Sequence, residues 1–484
     1  MSLQSVPQLS FDFFPSRPVQ VEISIAPLTS DAGLLPIRQF DERIRFTEQF
    51  ASALDDKRDP TFTQQSLLSM VRQRIYGILA DYEDQNDHDT LRYDPVFKII
   101  ADRLPDDPDL ASQPTLSRFE NAVSIADLWR LRDVLVDKFI QSFDQPPGHL
   151  TLDLDAFDDP AHGDQQLIMF HGHYDQYQYL PIIITCADND LTLLIGLRFG
   201  TCPAYLGVDN DLRYLAQRLR AVWPDVHIHV RADSGFGVPL MYDVGRELRL
   251  SYTFGIGMNS RLRDWSDDLL KQAVEDYEKT GQPQRQFLAL HYQAGSWPAP
   301  QPIVIKVEAH AQGTNRRAVV TNRPGWEVLP SAVYDEYAER GESENRNKEL
   351  KCELQAGRLS DHRFLANYFR LYLHAAALNL HISLRRAVVQ SAPSSAELGL
   401  PAELPTAAID TPDRKRFFNR RRQRDPLGEG FSSTWRTHLI KVAAEVLTRS
   451  RRVIIRLSAS WPHLDHFLAV SRIVSAPVPA PSSG

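Results

Sequence analysis

Residues 150–157 read LTLDLDAF, and this alternation of apolar and polar residues decides the fold. A period of two residues predicts a β-strand that buries one of its faces. Further β-rich runs follow, LIMF at 167–170, LPIIITCA at 180–187 and LTLLIGLRF at 191–199. A helix over Asp209–Trp223, a strand VHIHVRAD that ends at Asp233 and a helix over Val238–Glu247 come next. Strands followed by an alternation of helix and strand predict an α/β fold with a mixed sheet.

Acidic side chains stand at the ends of two of these apolar strands. Asp153 and Asp155 are two residues apart on the first strand, so they share a face, and Asp233 ends a later strand. A buried carboxylate costs free energy unless a cation or hydrogen-bond donors neutralise it. If the two strands are neighbours, Asp155 and Asp233 converge. Asp153 and Asp158 are better explained as supporting or turn residues.

A third acid lies in Tyr337–Lys351, YAERGESENRNKELK. If this stretch is one helix, Tyr337, Arg340, Glu344 and Lys351 fall within an arc of roughly 60°. Glu344 would then be the third carboxylate of a site that binds two Mg²⁺ or Mn²⁺ ions, since hard cations prefer oxygen ligands. The alternative is a solvated helix with ion pairs such as Arg340 with Glu344.

The remaining sequence divides into regions of different character. Apolar residues recur with helical spacing in the N-terminal part, and LASQPTLSRFEN at 110–121 is either a helix-turn-helix that presents Arg118 to DNA or an ordinary helix pair. Near the C-terminus we expect a helix over His438–Arg449 and then a strand, RRVIIRLSAS. The predicted domains are a helical N-terminal DNA-binding region (1–145), a ribonuclease-H-like core (146–248 and 326–385), a β-rich insertion within it (249–325), and a linker with a basic C-terminal region (386–484).

Composition and charge narrow the class of protein. The chain has 484 residues, 43% hydrophobic and 24% charged, as in soluble globular proteins, and we expect an intracellular protein with no membrane span. From residue 381 to the end there are 16 Lys and Arg against 8 Asp and Glu, a net charge of +8, which leaves −16 for residues 1–380. The densest basic run, RKRFFNRRRQR at 414–424, is typical of a surface that contacts phosphates, although a solvated loop explains it equally well.

Other clusters have simpler explanations. The three histidines His162, His171 and His173 lack the spacing of a zinc site and fit turn and strand-surface positions. The glycine motifs GFG at 235–237 and GIG at 255–257 lack the remaining glycines of a dinucleotide-binding loop.

The combination of motifs resembles bacterial insertion-sequence transposases of the DDE superfamily, in the group with a Tyr-x2-Arg-x3-Glu-x6-Lys signature. Tyr337, Arg340, Glu344 and Lys351 match that signature without a gap, LDLDAFDDPAHGDQQ resembles the segment of the first acid, and VRADSGFG resembles that of the second. The separations are 78 residues from Asp155 to Asp233 and 111 from Asp233 to Glu344. The resemblance covers about residues 30–475.

This resemblance implies cut-and-paste transposition. Asp155, Asp233 and Glu344 would be the catalytic and metal-binding residues, with two Mg²⁺ or Mn²⁺ ions as cofactors. The partners would be double-stranded DNA, as terminal inverted repeats and target DNA, and a second copy of the chain in a synaptic homodimer. A bacterial cytoplasmic, nucleoid-associated location would follow. A non-catalytic DNA-binding protein derived from a transposase, or a structure-specific nuclease, are the alternatives.

The expected DNA contacts extend beyond the acids. Tyr337, Arg340 and Lys351 would contact phosphates near the cleaved end. Relatives place a flipped base against a tryptophan of the insertion, for which Trp297 is the candidate here, with a structural Trp as the alternative. The other expected contacts are Arg118, Arg414, Lys415, Arg416, Arg420, Arg421 and Arg422.

Overall fold

The computed structural model describes residues 9–14, 16–21, 23, 25–391 and 430–476. The basic run at 414–424 therefore lies outside the described residues, as does most of the expected linker. The strands in the described part are β1 Leu9–Phe11, β2 Val19–Val21, β3 Leu28–Thr29, β4 His149–Ala156, β5 Asp159–Pro160, β6 Met169–His171, β7 Gln176–Tyr179, β8 Ile182–Cys186, β9 Thr192–Gly196, β10 His227–Ala232, β11 Ser251–Ile256, β12 Gln284–Tyr292, β13 Gln301–His310, β14 Gly313–Thr321, β15 Ala444–Arg449 and β16 Arg452–Leu457.

The largest sheet in the described residues has eight strands in the order β12-β13-β14-β11-β10-β4-β8-β9. Strand β4 lies near its middle, antiparallel to β8 and parallel to β10. Leu150, Leu152 and Leu154 of β4 are buried, as the alternation in LTLDLDAF predicts, but Thr151 and Asp153 on the other face are buried too, because β4 is an inner strand. The predicted strands that became β4, β8, β9 and β10 are confirmed, and so is the mixed α/β sheet.

The strands expected in an insertion continue this same sheet. β11 pairs parallel with β10 and antiparallel with β14, and β13 and β12 extend the sheet further by antiparallel pairing. The six residues of β11 are almost entirely buried, as suits an inner strand with a partner on each side. The domain boundaries themselves stay predictions.

Helices cover the sheet and build the N-terminal part. They are α1 Leu34–Ile44, α2 Phe46–Ser52, α3 Leu67–Leu79, α4 His88–Leu91, α5 Pro95–Ile100, α6 Gln113–Asn121, α7 Ile125–Gln141, α8 Val208–Val222, α9 Pro239–Glu247, α10 Ser260–Trp265, α11 Asp267–Thr280, α12 Pro330–Ala338, α13 Gly341–Lys348, α14 Phe364–Gln390, α15 Ser432–Trp435 and α16 Leu464–Ser475.

Helix α14 organises the packing of the helices. It is apolar on most of its surface, and α1, α3, α6 and α7 of the N-terminal part pack against it. On another side it packs against β9, so the N-terminal helices and the main sheet share one hydrophobic core. A helix that is apolar around most of its circumference must be buried on all sides, and this explains its central place.

Two expected helices are wrong. The stretch Tyr337–Lys351 is not one helix, because α12 ends at Ala338, α13 begins at Gly341, and a π-helical turn over Glu349–Glu353 follows. Of the expected helix over His438–Arg449, only the first residues are helical, in a π-helical turn over Arg436–Ile440, and the second half is strand β15, paired with β16 and β3. Val446 of β15 is buried whereas Glu445 and Leu447 beside it are partly exposed, and this alternation of two is that of a strand. Strand β16 confirms the expected strand in RRVIIRLSAS.

None of the helices in the described part of the chain is long and apolar enough to cross a membrane.

Candidate active site at the ends of the central strands

The parallel pairing of β4 and β10 brings Asp155 and Asp233 together. The register sets Leu154 opposite Ala232, so the next residue on each strand is Asp155 and Asp233. Adjacent strands are about 4.8 Å apart, and the charge of Asp233 acts on Asp155. The strands that carry the two acids are thus neighbours, which is the condition on which their predicted convergence depends.

Asp155 is largely enclosed and is contacted by donors. Asn347 of α13 donates a hydrogen bond from Nδ2 to Asp155 Oδ2 at 2.6 Å, and the backbone N–H of Ala156 donates to Oδ1 at 2.9 Å. Burial raises the pKa of Asp155 to about 6, Arg340 opposes the rise and Asp233 adds to it. The positive charge of Arg340 therefore does not fully offset the cost of ionising the buried Asp155 carboxyl group beside Asp233.

The guanidinium of Arg340 lies between two of the predicted acids. Its Nη1 is 3.9 Å from Asp155 Oδ2, and its Nη2 donates to Glu344 Oε1 at 2.6 Å. Glu344 is 57% exposed in the first turn of α13. Among the described residues no three His, Cys, Asp or Glu side chains are arranged to hold a metal ion. Arg340 thus links Glu344 to Asp155. Its ion pair with Glu344 is the one that the sequence analysis gave as the alternative to a metal ligand.

Tyr337 reaches this edge over a glycine. A Cβ added at Gly255 would lie 2.7 Å from the Tyr337 hydroxyl oxygen and 3.1 Å from the Ser234 backbone nitrogen, so a larger residue would displace the phenol. Burial raises the pKa of Tyr337 above its ordinary value. The first glycine of the GIG motif, Gly255, is therefore explained by its packing under Tyr337.

Lys351 and Asp158 form an ion pair. Asp158 Oδ2 also accepts a hydrogen bond from Gln176 Nε2 at 3.1 Å. Lys351, in the π-helical turn after α13, therefore contacts an acid that lies three residues after Asp155 in the sequence. The expectation of a supporting role for Asp158 agrees with these contacts.

Asp153 is neutralised inside the sheet. Arg231 of the neighbouring strand donates from Nε and Nη2 to its two carboxylate oxygens at 2.7 and 2.8 Å, and both side chains are 2% exposed. The Nη1 of Arg231 donates to the Glu336 carbonyl oxygen at 2.6 Å, which ties α12 to the strand. Asp153 thus supports the position of the signature segment, as the sequence suggested.

Other predicted contacts lie apart from the acids. Trp297 is 9% exposed and packs edge-on against Tyr242 and Tyr292, with ring centroids 5.3 Å away in each case, which favours the structural alternative. Arg118 is exposed on α6, where its Nη2 donates to Thr115 Oγ1 at 3.2 Å. The cations Arg414, Lys415, Arg416, Arg420, Arg421 and Arg422 lie outside the described residues.

Two contributors to the site were missed by sequence reasoning. Asn347, 6% exposed, holds Asp155, and its own Oδ1 is buried without a hydrogen-bond partner among the described residues. Its place three residues after Glu344, one helical turn on, was the signal that could have found it. Tyr174 is the other, since its pKa is raised by burial and by the carboxylates of Asp158, Asp155 and Asp233. Nothing in the sequence marked this tyrosine.

Comparison with known proteins identifies the family. The family described as transposase DDE domain group 1 matches residues 11–399. The chain belongs to this transposase family. A search of solved structures found a cryo-EM structure of a piggyBac transposase synaptic complex with hairpin DNA at 14% sequence identity and a TM-score of 0.39, covering 95% of this chain and 90% of that chain. A search of curated proteins found no match. The DDE transposase family expected from the sequence is confirmed.

Proposed function

We propose that the protein is a metal-dependent DNA transposase that cleaves DNA at terminal inverted repeats and transfers the freed strand into target DNA. The observation that carries the proposal is the pairing of β4 with β10, which sets Asp155 beside Asp233 under Arg340 and Asn347. Membership of a DDE transposase family supports it. The same reasoning proposes a ribonuclease-H-like core, supported by the mixed strand order β9-β8-β4-β10-β11.

The donor set suits a divalent cation. Two carboxylates meet at one edge, burial and mutual repulsion raise the pKa of Asp155, and a cation there would relieve both effects. Asp155 and Asp233 would hold Mg²⁺ or Mn²⁺, two ions with Glu344 as a further ligand once its ion pair with Arg340 opens. When bound, the metal would activate water and stabilise charge on the reacting phosphate.

The surrounding side chains have separate tasks in this proposal. Arg340 and Lys351 carry the positive charge that would hold phosphates near the cleaved end, and Asn347 fixes the orientation of the Asp155 carboxylate. Tyr337, held over Gly255, would border the same end. Arg118 and the basic run at 414–424 would contact DNA farther from the acids. A synaptic homodimer and a bacterial, nucleoid-associated location belong to the same proposal.

The test is cleavage of a labelled duplex that carries the terminal repeat flanking the gene, with Mg²⁺ or Mn²⁺. We expect cutting at the repeat end by the natural protein, loss of cutting in Glu344→Ala with DNA binding retained, and cutting by the control Glu342→Ala, which changes an acid in the same turn. Binding of the repeat without cutting by the natural protein would instead indicate a non-catalytic DNA-binding protein. Cutting without strand transfer would indicate a nuclease.

Metal binding is measured separately from activity. Titration of Mn²⁺ by calorimetry should give heat with the natural protein and none with Asp155→Asn or Asp233→Asn. Equal heats in all three proteins would contradict the assignment of these carboxylates.

A further inference from the structure

A β-hairpin in the C-terminal part of the described chain carries an excess of positive charge. It consists of β15, β16 and the turn between them, and residues 444–457 contain four arginines and one acidic residue. Within the described residues, β3 pairs with β15 through Ala444 and Glu445 alone, so from there to the turn the sheet has only two strands. The hairpin is thus a two-stranded ribbon with a basic end.

The two faces of this ribbon differ. The apolar side chains of one face pack on the hydrophobic core, namely Ala444, Val446, Val453, Ile455 and Leu457. Because successive side chains of a strand point to opposite faces, Arg449 and Arg452 lie on the other face, and both are exposed. Arg451, in the turn, is exposed as well. The arginines therefore point away from a face that is fixed to the core.

Arg449 and Arg452 are direct cross-strand partners, which sets two like charges opposite each other. At the base of the same face the partners are Glu445 and Arg456, which form an ion pair at 3.2 Å. Among the described residues no ion pair includes Arg449, Arg451 or Arg452. Like charges directly opposite each other destabilise a pair of strands. An anionic ligand at this end of the ribbon would remove that repulsion.

The outward face offers charge rather than apolar area to a partner. Leu447 and Ile454, the apolar cross-strand pair on this face, are only partly exposed, whereas Arg449 and Arg452 beside them are exposed. A face of this kind suits a polyanion better than an apolar protein surface.

We propose that Arg449, Arg451 and Arg452, the arginine tip of the hairpin, bind the phosphodiester backbone of double-stranded DNA. This inference rests on the proposed function, because it takes DNA as the ligand of the protein. A guanidinium group binds a phosphate through two parallel hydrogen bonds, and a two-stranded ribbon is narrow enough for the major groove, which is about 12 Å wide. Contacts to phosphates carry no sequence information, so the arginine tip should bind DNA of any sequence.

The experiment measures the binding of a fluorescently labelled DNA duplex of random sequence to the full-length protein. Anisotropy is recorded in EDTA, so that no cleavage occurs, at several NaCl concentrations. The logarithm of the affinity falls with the logarithm of the salt concentration, with a slope of about −0.9 per phosphate contact. Arg449→Ala combined with Arg452→Ala should weaken binding and make this slope shallower by about 2, and adding Arg451→Ala should bring the change to about 3.

Two further variants show whether the effect belongs to the arginine tip. Arg449→Lys combined with Arg452→Lys keeps both charges and should keep the natural slope. Arg45→Ala combined with Arg246→Ala is the matched control, because it also removes two exposed arginines, but each of these pairs with an acid on a helix. This control should bind DNA as the natural protein does, and circular dichroism verifies that every variant is folded.

The repulsion within the hairpin is tested by Arg449→Glu. This change places a carboxylate opposite Arg452, so it should raise the midpoint of thermal unfolding while it weakens DNA binding. A lower midpoint than that of the natural protein would contradict the argument from repulsion.

The proposal is overturned if the alanine variants of the arginine tip bind the random duplex with the natural affinity and slope. It is also overturned if the control loses as much affinity as the double variant, since total charge would then explain the effect. Unchanged DNA binding together with lost binding to phosphatidylserine vesicles would assign the arginine tip to a membrane surface instead.

The outcomes separate this proposal from the proposed function. Cleavage of the repeat duplex by the natural protein, with unchanged binding of the random duplex in the alanine variants, leaves the transposase and removes the DNA contact of the arginine tip. DNA binding that depends on the arginine tip, without any cleavage, leaves a DNA-binding hairpin and removes the transposase activity.

Discussion

Breaking the buried ion pair between Asp153 and Arg231 should destabilise the protein strongly. Both side chains are 2% exposed, and Asp153→Ala would leave the guanidinium in the interior without its carboxylate. Removing one partner of a buried pair costs about 3–5 kcal/mol, because the remaining charge is uncompensated. We expect a loss of that size in the free energy of unfolding.

The ion pair itself should contribute much less to the free energy of unfolding than the about 3–5 kcal/mol lost when one partner is removed. Burial raises the pKa of Asp153 even though Arg231 opposes the rise, so desolvation offsets much of the attraction. Replacing both residues together, Asp153→Leu with Arg231→Met, should therefore cost only about 1–3 kcal/mol, the penalty for leaving the Glu336 carbonyl without its donor.

Urea denaturation followed by circular dichroism measures all three proteins. Asp243→Ala is the control, because it removes one partner of an exposed ion pair with Arg246, whose side chains are 58% and 56% exposed, and should cost less than about 1 kcal/mol. The reasoning is refuted if Asp153→Ala costs no more than this control, or if the double variant is less stable than Asp153→Ala.

Three further outcomes are expected. In EDTA at pH 8, Asp155→Asn should raise the free energy of unfolding by up to about 3 kcal/mol, because ionising a carboxyl whose pKa is about 6 opposes folding. This gain in stability should shrink as the pH falls through 6 towards 4. Urea unfolding that shows the same gain across this pH range would contradict the prediction. Trp297→Ala should lower the free energy of unfolding by about 3–5 kcal/mol in urea, as expected of a core tryptophan, and a fully stable variant with weakened DNA binding would argue for a DNA contact instead. Lys351→Ala should weaken binding of the processed DNA end in a gel-shift titration while Mn²⁺ binding persists, and an unchanged affinity for that end would count against the phosphate contact.

The sequence by itself determined the central strands, the two aspartates at their ends and the transposase family. The alternation of apolar and polar residues in LTLDLDAF and the apolar run before Asp233 are local signals. A strand that buries one face shows the first pattern, and a strand that buries both faces shows the second. The signature spacing depends only on residue order, so it could be found without the fold.

Only the tertiary structure decided which side chains meet. The ion pair of Lys351 with Asp158 joins residues far apart in the sequence, and helical spacing alone did not predict it. The ion pair of Arg340 with Glu344, by contrast, is the i,i+4 pair that helical spacing allows. Strand β15, which forms a hairpin with β16, was mistaken for a helix, and its other partner, β3, comes from a distant part of the chain. The hydrogen bond from Asn347 to Asp155 and the effect of the carboxylates on Tyr174 join residues far apart in the sequence, so the fold was needed to show them.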